Sequence, residues 1–242
     1  MITGSHGGQR TGRARPVLLV LAKAPVAGRA KTRLCPPASP RDAARIAAAA
    51  LLDTLDAVCG VPEAVPVVAW TGELADAESR SELAGALRRV GRVEQRGDTL
   101  GERIAAAHAD AAALVPGAPL LQIGMDTPQL TAATLAEALA PLSAPDGPDA
   151  VLGPAADGGW WALGLRDPRL ARLIESVPTS RPDTGEATLR ALRAGGLSVA
   201  LLPELRDVDT AEDALAVAAA GAGRRFSAEV ATLLARPAGI AR

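Results

Sequence analysis

Val17-Leu-Leu-Val-Leu-Ala22, followed directly by Lys23-Ala-Pro-Val-Ala-Gly-Arg-Ala-Lys31-Thr-Arg33, is the stretch on which the reading of this chain turns. The first run is continuously apolar and bounded by a turn, the pattern of a buried strand. The second is a basic loop. The chain has 26 basic residues, yet lysine stands only at Lys23 and Lys31, both in this loop. A lysine ammonium is a compact, mobile point charge suited to phosphate oxygens, so the placement suggests an anionic partner. The alternative is a solvated basic turn.

Two familiar phosphate loops do not fit. A Walker A loop requires glycine before its lysine and a helix immediately after, but Ala30 precedes Lys31 and Pro36-Pro37 stop a helix from starting. The dinucleotide fingerprint fails because Gly28 is the loop's single glycine. What remains is strand, irregular basic loop, and a helix delayed to Ser39-Pro40, with serine as cap and proline at the first helical position.

Outward from the loop, apolar residues recur at helical spacing from Arg41 to Val58. Val65 to Trp70 reads as a strand, Thr71 to Leu87 as a helix and Gly91 to Arg96 as a short strand. Thr99-Leu-Gly-Glu102 has capping-box spacing and opens an alanine-rich helix that contains His108. Ala118 to Gly124 is a strand running into Met125-Asp126, and Thr131 to Leu142 is a helix. Strands at Asp149–Gly153 and Trp160–Gly164 flank Asp157-Gly-Gly159. Helices near Pro168–Ile174 and Thr184–Arg193, a strand Leu197–Leu202, and helices from Thr210 and near Ser227–Leu234 complete the chain. Such alternation predicts an α/β fold, a sandwich around a mainly parallel sheet, whose ligands gather at the carboxyl ends of strands.

Composition bounds the function. With 242 residues, 48% hydrophobic and 22% charged, the chain suits one globular domain, read as a flexible tail over residues 1–15 and a single domain over 16–242. A net charge of −1 leaves no basic face for nucleic acid. Without a membrane-length apolar run or a signal-peptide pattern, and with two cysteines at no metal-type spacing, the expectation is a cytoplasmic protein with reduced thiols. His6 falls in the tail, and His108 reads as an ordinary helix position.

Three places offer suitable acids. Asp126 stands just past a buried strand, with an Asx turn before Pro128 as the other reading. Asp207 and Asp209 alternate along an extended segment and can face one side, although Asp209 or Thr210 can equally cap the helix that follows. Asp157-Gly158-Gly159-Trp160-Trp161 combines an acid, two glycines that let backbone approach a ligand, and flat apolar walls. A tight turn with tryptophans in the core is its alternative. A polyphosphate site usually takes magnesium on one or two carboxylates plus substrate oxygens.

In this order, the loop, the Gly-x-Asp-x-Pro strand end, the Asp-Gly-Gly-aromatic turn and the Asp-Val-Asp-Thr-x-x-Asp segment resemble the DUF2064 family of the nucleotide-diphospho-sugar transferase (GT-A) superfamily. The chain is more distantly similar to the molybdenum-cofactor and phospholactate guanylyltransferases. The likeness runs from about Val17 to Ala220. It implies a three-layer α/β/α sandwich of GT-A type, with Lys23, Gly28, Lys31 and Arg33 on nucleotide phosphates. It also implies Mg²⁺ (or Mn²⁺) near Asp126, Asp207 and Asp209, and an acceptor side at Asp157 to Trp160. Gly101 and Arg103 join the nucleotide side through a matching segment, Gln95 to Arg103. Two positions depart from the pattern: Trp160 replaces the usual tyrosine, and the Thr179–Thr184 loop lacks the expected preceding tryptophan.

Three activities follow as expectations. Nucleotidyl transfer from a nucleoside triphosphate to a small phosphorylated or oxyanionic acceptor gains most from three flexible cations on a departing pyrophosphate. Glycosyl transfer from a nucleotide sugar is the second. A nucleotide-binding module without turnover is the third, from another class.

Overall fold

A computed structural model describes residues 14–233. Most of the 1–15 tail, with His6, and the end of the last expected helix at Leu234 lie outside the described residues. Seven strands form one sheet in the order β3-β2-β1-β4-β6-β5-β7: β1 Val17–Lys23, β2 Val65–Thr71, β3 Gly91–Glu94, β4 Leu120–Ile123, β5 Ala150–Pro154, β6 Trp160–Leu165 and β7 Val199–Leu201. All neighbours run parallel except β6, which is antiparallel to both β4 and β5. The expected mainly parallel sheet is therefore present, with one reversed strand inside it.

The alternation of β1 shows how the layers form. Leu18, Val20 and Ala22 pack toward α1 (Pro40–Cys59), α2 (Arg80–Leu87) and α4 (Ala132–Ser143). Val17 and Leu19 pack on the other face, against Ala107 and Ala111 of α3 (Leu100–Leu114). Burial on both faces is why this strand reads as an unbroken apolar run. A 3-10 segment, Pro168–Ile174, and α5 (Thr184–Ala194) cover the rest of that second face. Beyond the sheet, α6 (Ala211–Ala219) and α7 (Arg224–Leu233) pack on the outer side of α1 through Val217, Phe226 and Val230.

Helix starts follow the expected chemistry. The Ser39 hydroxyl accepts from the Asp42 N–H with Pro40 at the first position. Thr99 with Glu102, and Thr210 with Asp213, form complete capping boxes, each cap supplying about 1 kcal/mol. One expected helix is shortened, and another is a 3-10 helix. Over Thr71–Leu87 only Arg80–Leu87 is α-helical, since Gly72 (φ 86°) and Ser79 (φ 54°) turn left-handed on either side of a 3-10 turn at Leu74–Asp76. Pro168–Ile174 is 3-10 throughout.

β1 has β2 on one side and β4 on the other, so chain connections diverge between β1 and β4. A ligand crevice belongs at this point in an open α/β sheet, and here the basic loop after β1 meets Asp126 after β4.

Candidate active site

At the carboxyl end of the sheet lies a cleft of about 590 Å³. Of the residues singled out in the sequence, Lys23, Lys31, Arg33, Asp126, Asp157, Gly159, Trp160, Asp207 and Asp209 line it. Gly28, Gly101, Arg103 and Gly158 are not among its lining residues. Gly28 turns the loop (φ 75°) with open space around it. Gly101 is pressed against backbone, since a Cβ there would lie 2.2 Å from the Glu175 carbonyl oxygen. Arg103 donates to the Gly97 carbonyl.

Lys31 is the hub. Its Nζ lies 2.9 Å from Asp126 Oδ2 and 3.0 Å from Asp209 Oδ1, while Arg33 reaches the other Asp209 oxygen at 3.1 Å. The Lys31 side chain is 10% exposed and its carboxylate partners 40% and 36%. Burial alone would lower the ammonium's pKa, but Asp126 and Asp209 outweigh it and hold the pKa above its ordinary value. Lys31 also has a left-handed backbone, φ 49°, a conformation that costs a non-glycine residue about 1 kcal/mol or more. Ser180 (φ 59°), on the far wall, shares it.

The segment carrying Asp207 and Asp209 is sewn to the β4 exit. Val208 N–H donates to the Asp126 carbonyl, and the Gln129 side chain donates to the Arg206 carbonyl. Leu205 and Ala156 extend the pairing to the end of β5. Thr210, not Asp209, supplies the cap of α6, which leaves Asp209 to Lys31 and Arg33.

Asp207 is the unusual carboxylate. Its Oδ1 is buried without a hydrogen-bond partner. Burial first, then the negative charges of Asp126 and Asp157, push its pKa up to about 7 against the pull of Lys31. Among the described residues no three His, Cys, Asp or Glu side chains gather closely enough to hold a metal by themselves. Magnesium does not require that, being commonly held by one or two carboxylates plus substrate phosphates. A buried, unpartnered carboxylate oxygen beside further acids is what a divalent cation would relieve, so this donor set fits one.

Opposite stands the Asp157–Trp161 turn, a tight turn with one tryptophan in the core and one at the cleft. Asp157 Oδ1 accepts from Gly159 N–H at 2.8 Å, a tight Asx turn. Trp161 is core, 3% exposed, and donates to the Pro203 carbonyl, while Trp160 is half-buried and faces the cleft. A Cβ on Gly158 (φ 85°) would lie 1.9 Å from the Pro182 carbonyl oxygen, and Gly185 N–H donates to the Gly158 carbonyl. The turn is thereby welded to the loop of Thr179, Ser180, Arg181 and Pro182, which forms the remaining wall. Leu21 and Gln122, which also line the cleft, carry no motif by which the sequence would have marked them.

Residues 54–181 match the model of a family described as "Uncharacterized protein conserved in bacteria (DUF2064)". A phosphoenolpyruvate guanylyltransferase of Nocardia farcinica (strain IFM 10152) is 34% identical over 196 residues, 80% of this chain and 82% of that protein. The chain belongs to the DUF2064 family. A solved structure of a candidate nucleotide-diphospho-sugar transferase from Desulfovibrio desulfuricans G20 superposes with a TM-score of 0.76 at 25% identity, over 90% of this chain and 93% of its own. A cytidylyltransferase from Leptospira borgpetersenii serovar Hardjo-bovis shares the fold at 14% identity, with a TM-score of 0.52 over 95% and 100% of the two chains. The DUF2064 chain is thus an α/β transferase of the nucleotide-diphospho-sugar transferase type. Among its described residues no helix is long and apolar enough to cross a membrane.

Proposed function

We propose that this DUF2064 protein moves a nucleotidyl group from a nucleoside triphosphate to a small oxyanionic acceptor. The observation that carries this reading is the convergence of Lys23, Lys31 and Arg33 with Asp126, Asp207 and Asp209 at one end of the sheet. The acceptor oxyanion attacks the α-phosphorus, a new P–O bond forms, the bond to the β-phosphate breaks, and pyrophosphate departs with that electron pair. Charge develops on the pyrophosphate, and cations preorganised there stabilise the transition state more than the ground state.

Lys31 serves this purpose because Asp126 and Asp209 fix its ammonium in the cleft before substrate arrives. Arg33, 71% exposed at the side chain and paired with Asp209, would exchange that carboxylate for the outer phosphates. Asp126 and Asp207 would hold Mg²⁺ (or Mn²⁺) together with substrate oxygens, and the bound ion would supply positive charge at the α-phosphate. Trp160 and the Thr179–Pro182 loop would form the acceptor wall, where Arg181, paired with Asp183, carries the guanidinium that would meet an oxyanion. The Nocardia relative makes GTP and phosphoenolpyruvate the first pair to try.

Glycosyl transfer is the second reading, favoured by the description of the Desulfovibrio structure. The deciding experiment follows phosphate products with Mg²⁺ present. Pyrophosphate released from one triphosphate only when an acceptor is added supports nucleotidyl transfer. Release of a nucleoside diphosphate from a nucleotide sugar would replace it. Asp126→Asn should abolish turnover in either case while leaving nucleotide binding measurable, and full activity in that variant would remove Asp126 from the site.

A further inference from the structure

The cleft lining is not charged throughout. Leu21, Leu100 and Ile104 give it apolar lining, and the polar Gln122 lines it as well. Gln122 is 2% exposed. It shares with Leu120 the face of β4 that packs on α3, and its Oε1 lies 2.9 Å from Nε2 of His108, which is fully buried on that helix.

An amide oxygen only accepts, so Nε2 of His108 carries the ring proton in this pair. Nδ1 is then the unprotonated nitrogen, and it is buried without a partner. The imidazole therefore makes a single side-chain hydrogen bond, and that bond fixes which way the Gln122 amide faces. With its oxygen held by the helix, the NH₂ group is on the opposite side of the amide, and it bonds to no protein atom among the described residues. A donor on a nearly buried side chain that lines the cleft favours ligands that bring an acceptor to it and disfavours those that leave it unpaired.

We propose that Gln122 is a specificity-determining residue of this cleft, donating from its amide nitrogen to a carbonyl or carboxylate oxygen on the non-phosphate part of a bound substrate, with His108 as the positioning residue that sets its orientation. This rests on the transferase reading above. The oxygen has two possible sources, a nucleobase edge or the carboxylate of the acceptor.

The test measures dissociation constants of full-length protein for GTP, ATP, CTP and UTP with Mg²⁺, and for phosphoenolpyruvate. Wild type is compared with Gln122→Met, Gln122→Glu, His108→Phe and His108→Gln, and kcat and KM are determined for whichever pair turns over. Gln122→Met should weaken one ligand about 10-fold, with the loss in KM and not in kcat. Gln122→Glu, which keeps the shape but replaces the donor by an acceptor, should weaken it at least as much and keeps the test valid if the methionine variant folds poorly. His108→Phe should weaken the same ligand, and His108→Gln, whose amide can donate in place of Nε2–H, should restore most of the affinity.

A loss confined to a triphosphate assigns the oxygen to the base, and one confined to phosphoenolpyruvate assigns it to the acceptor. Wild-type affinity for every ligand in both Gln122 variants would overturn the specificity role, and failure of His108→Gln to restore would overturn the positioning role. A wild-type protein that binds none of these ligands would overturn the transferase reading and this inference together.

Discussion

Replacing Lys31 by methionine would leave Asp126 and Asp209 facing the cleft without their shared cation. Both carboxylates are more than a third exposed, so water can solvate the unpaired charges, and the stability change should stay within about 1 kcal/mol. Under the proposed nucleotidyl transfer, activity should behave differently, because a cation fixed at the departing phosphates would act on the transition state. A fall of roughly 100-fold or more in kcat is expected, measured as pyrophosphate release beside a denaturation curve. A large stability loss with intact kcat would make Lys31 structural. The sequence pointed to Lys31 because lysine is confined to one loop, but its tie to two aspartates 95 and 178 positions away was not legible, since pairing across strand ends is set by topology. Gln122 was hidden for a related reason: nothing local separates a polar residue in a buried strand from one that a helix side chain has oriented.

Among the elements, the contact of α3 with the Pro168–Ile174 segment carries the clearest consequence. Gly101 lies in the first turn of α3, where any side chain would enter the Glu175 carbonyl. Gly101→Ala should therefore destabilise by about 1–3 kcal/mol through forced separation of the two elements, read from the urea midpoint. Nucleotide affinity of the folded fraction should change little, because Gly101 is not among the lining residues; a selective loss of affinity at unchanged stability would return it to the nucleotide side. Most elements could be read in advance because caps such as Ser39 and Thr99 and the apolar run of β1 are local signals. The 3-10 character of Pro168–Ile174 and the shortened α2 were not, since they depend on how short segments pack over the sheet. The reversed β6 fits its 160–165 run, which reads alike in either direction.

For the molecule as a whole, the buried His108 and the half-buried Asp207 have pKa values shifted in opposite directions. His108 has its pKa lowered from 6.5 to about 4, by burial against a smaller raising effect of its bond to Gln122. Between those values the unfolded chain binds the proton and the folded protein does not, so this group makes stability rise with pH and withdraws it as pH falls toward 4. Asp207 has its pKa raised from 3.8 to about 7. Between those values the folded protein binds the proton more tightly, so its contribution falls as pH rises. Each slope approaches about 1.4 kcal/mol per pH unit inside its window, and the windows overlap from about 4 to 6.5, so the wild-type contributions there largely cancel. Substituting either residue should tilt the profile in opposite directions. In metal-free buffer, the Tm of His108→Gln should fall with pH relative to wild type between pH 4.5 and 6.5, and that of Asp207→Asn should rise, each by several degrees for a domain of this size. Thermal unfolding across that range checks both signs at once, and a tilt in the same direction for both variants would contradict the assigned protonation states.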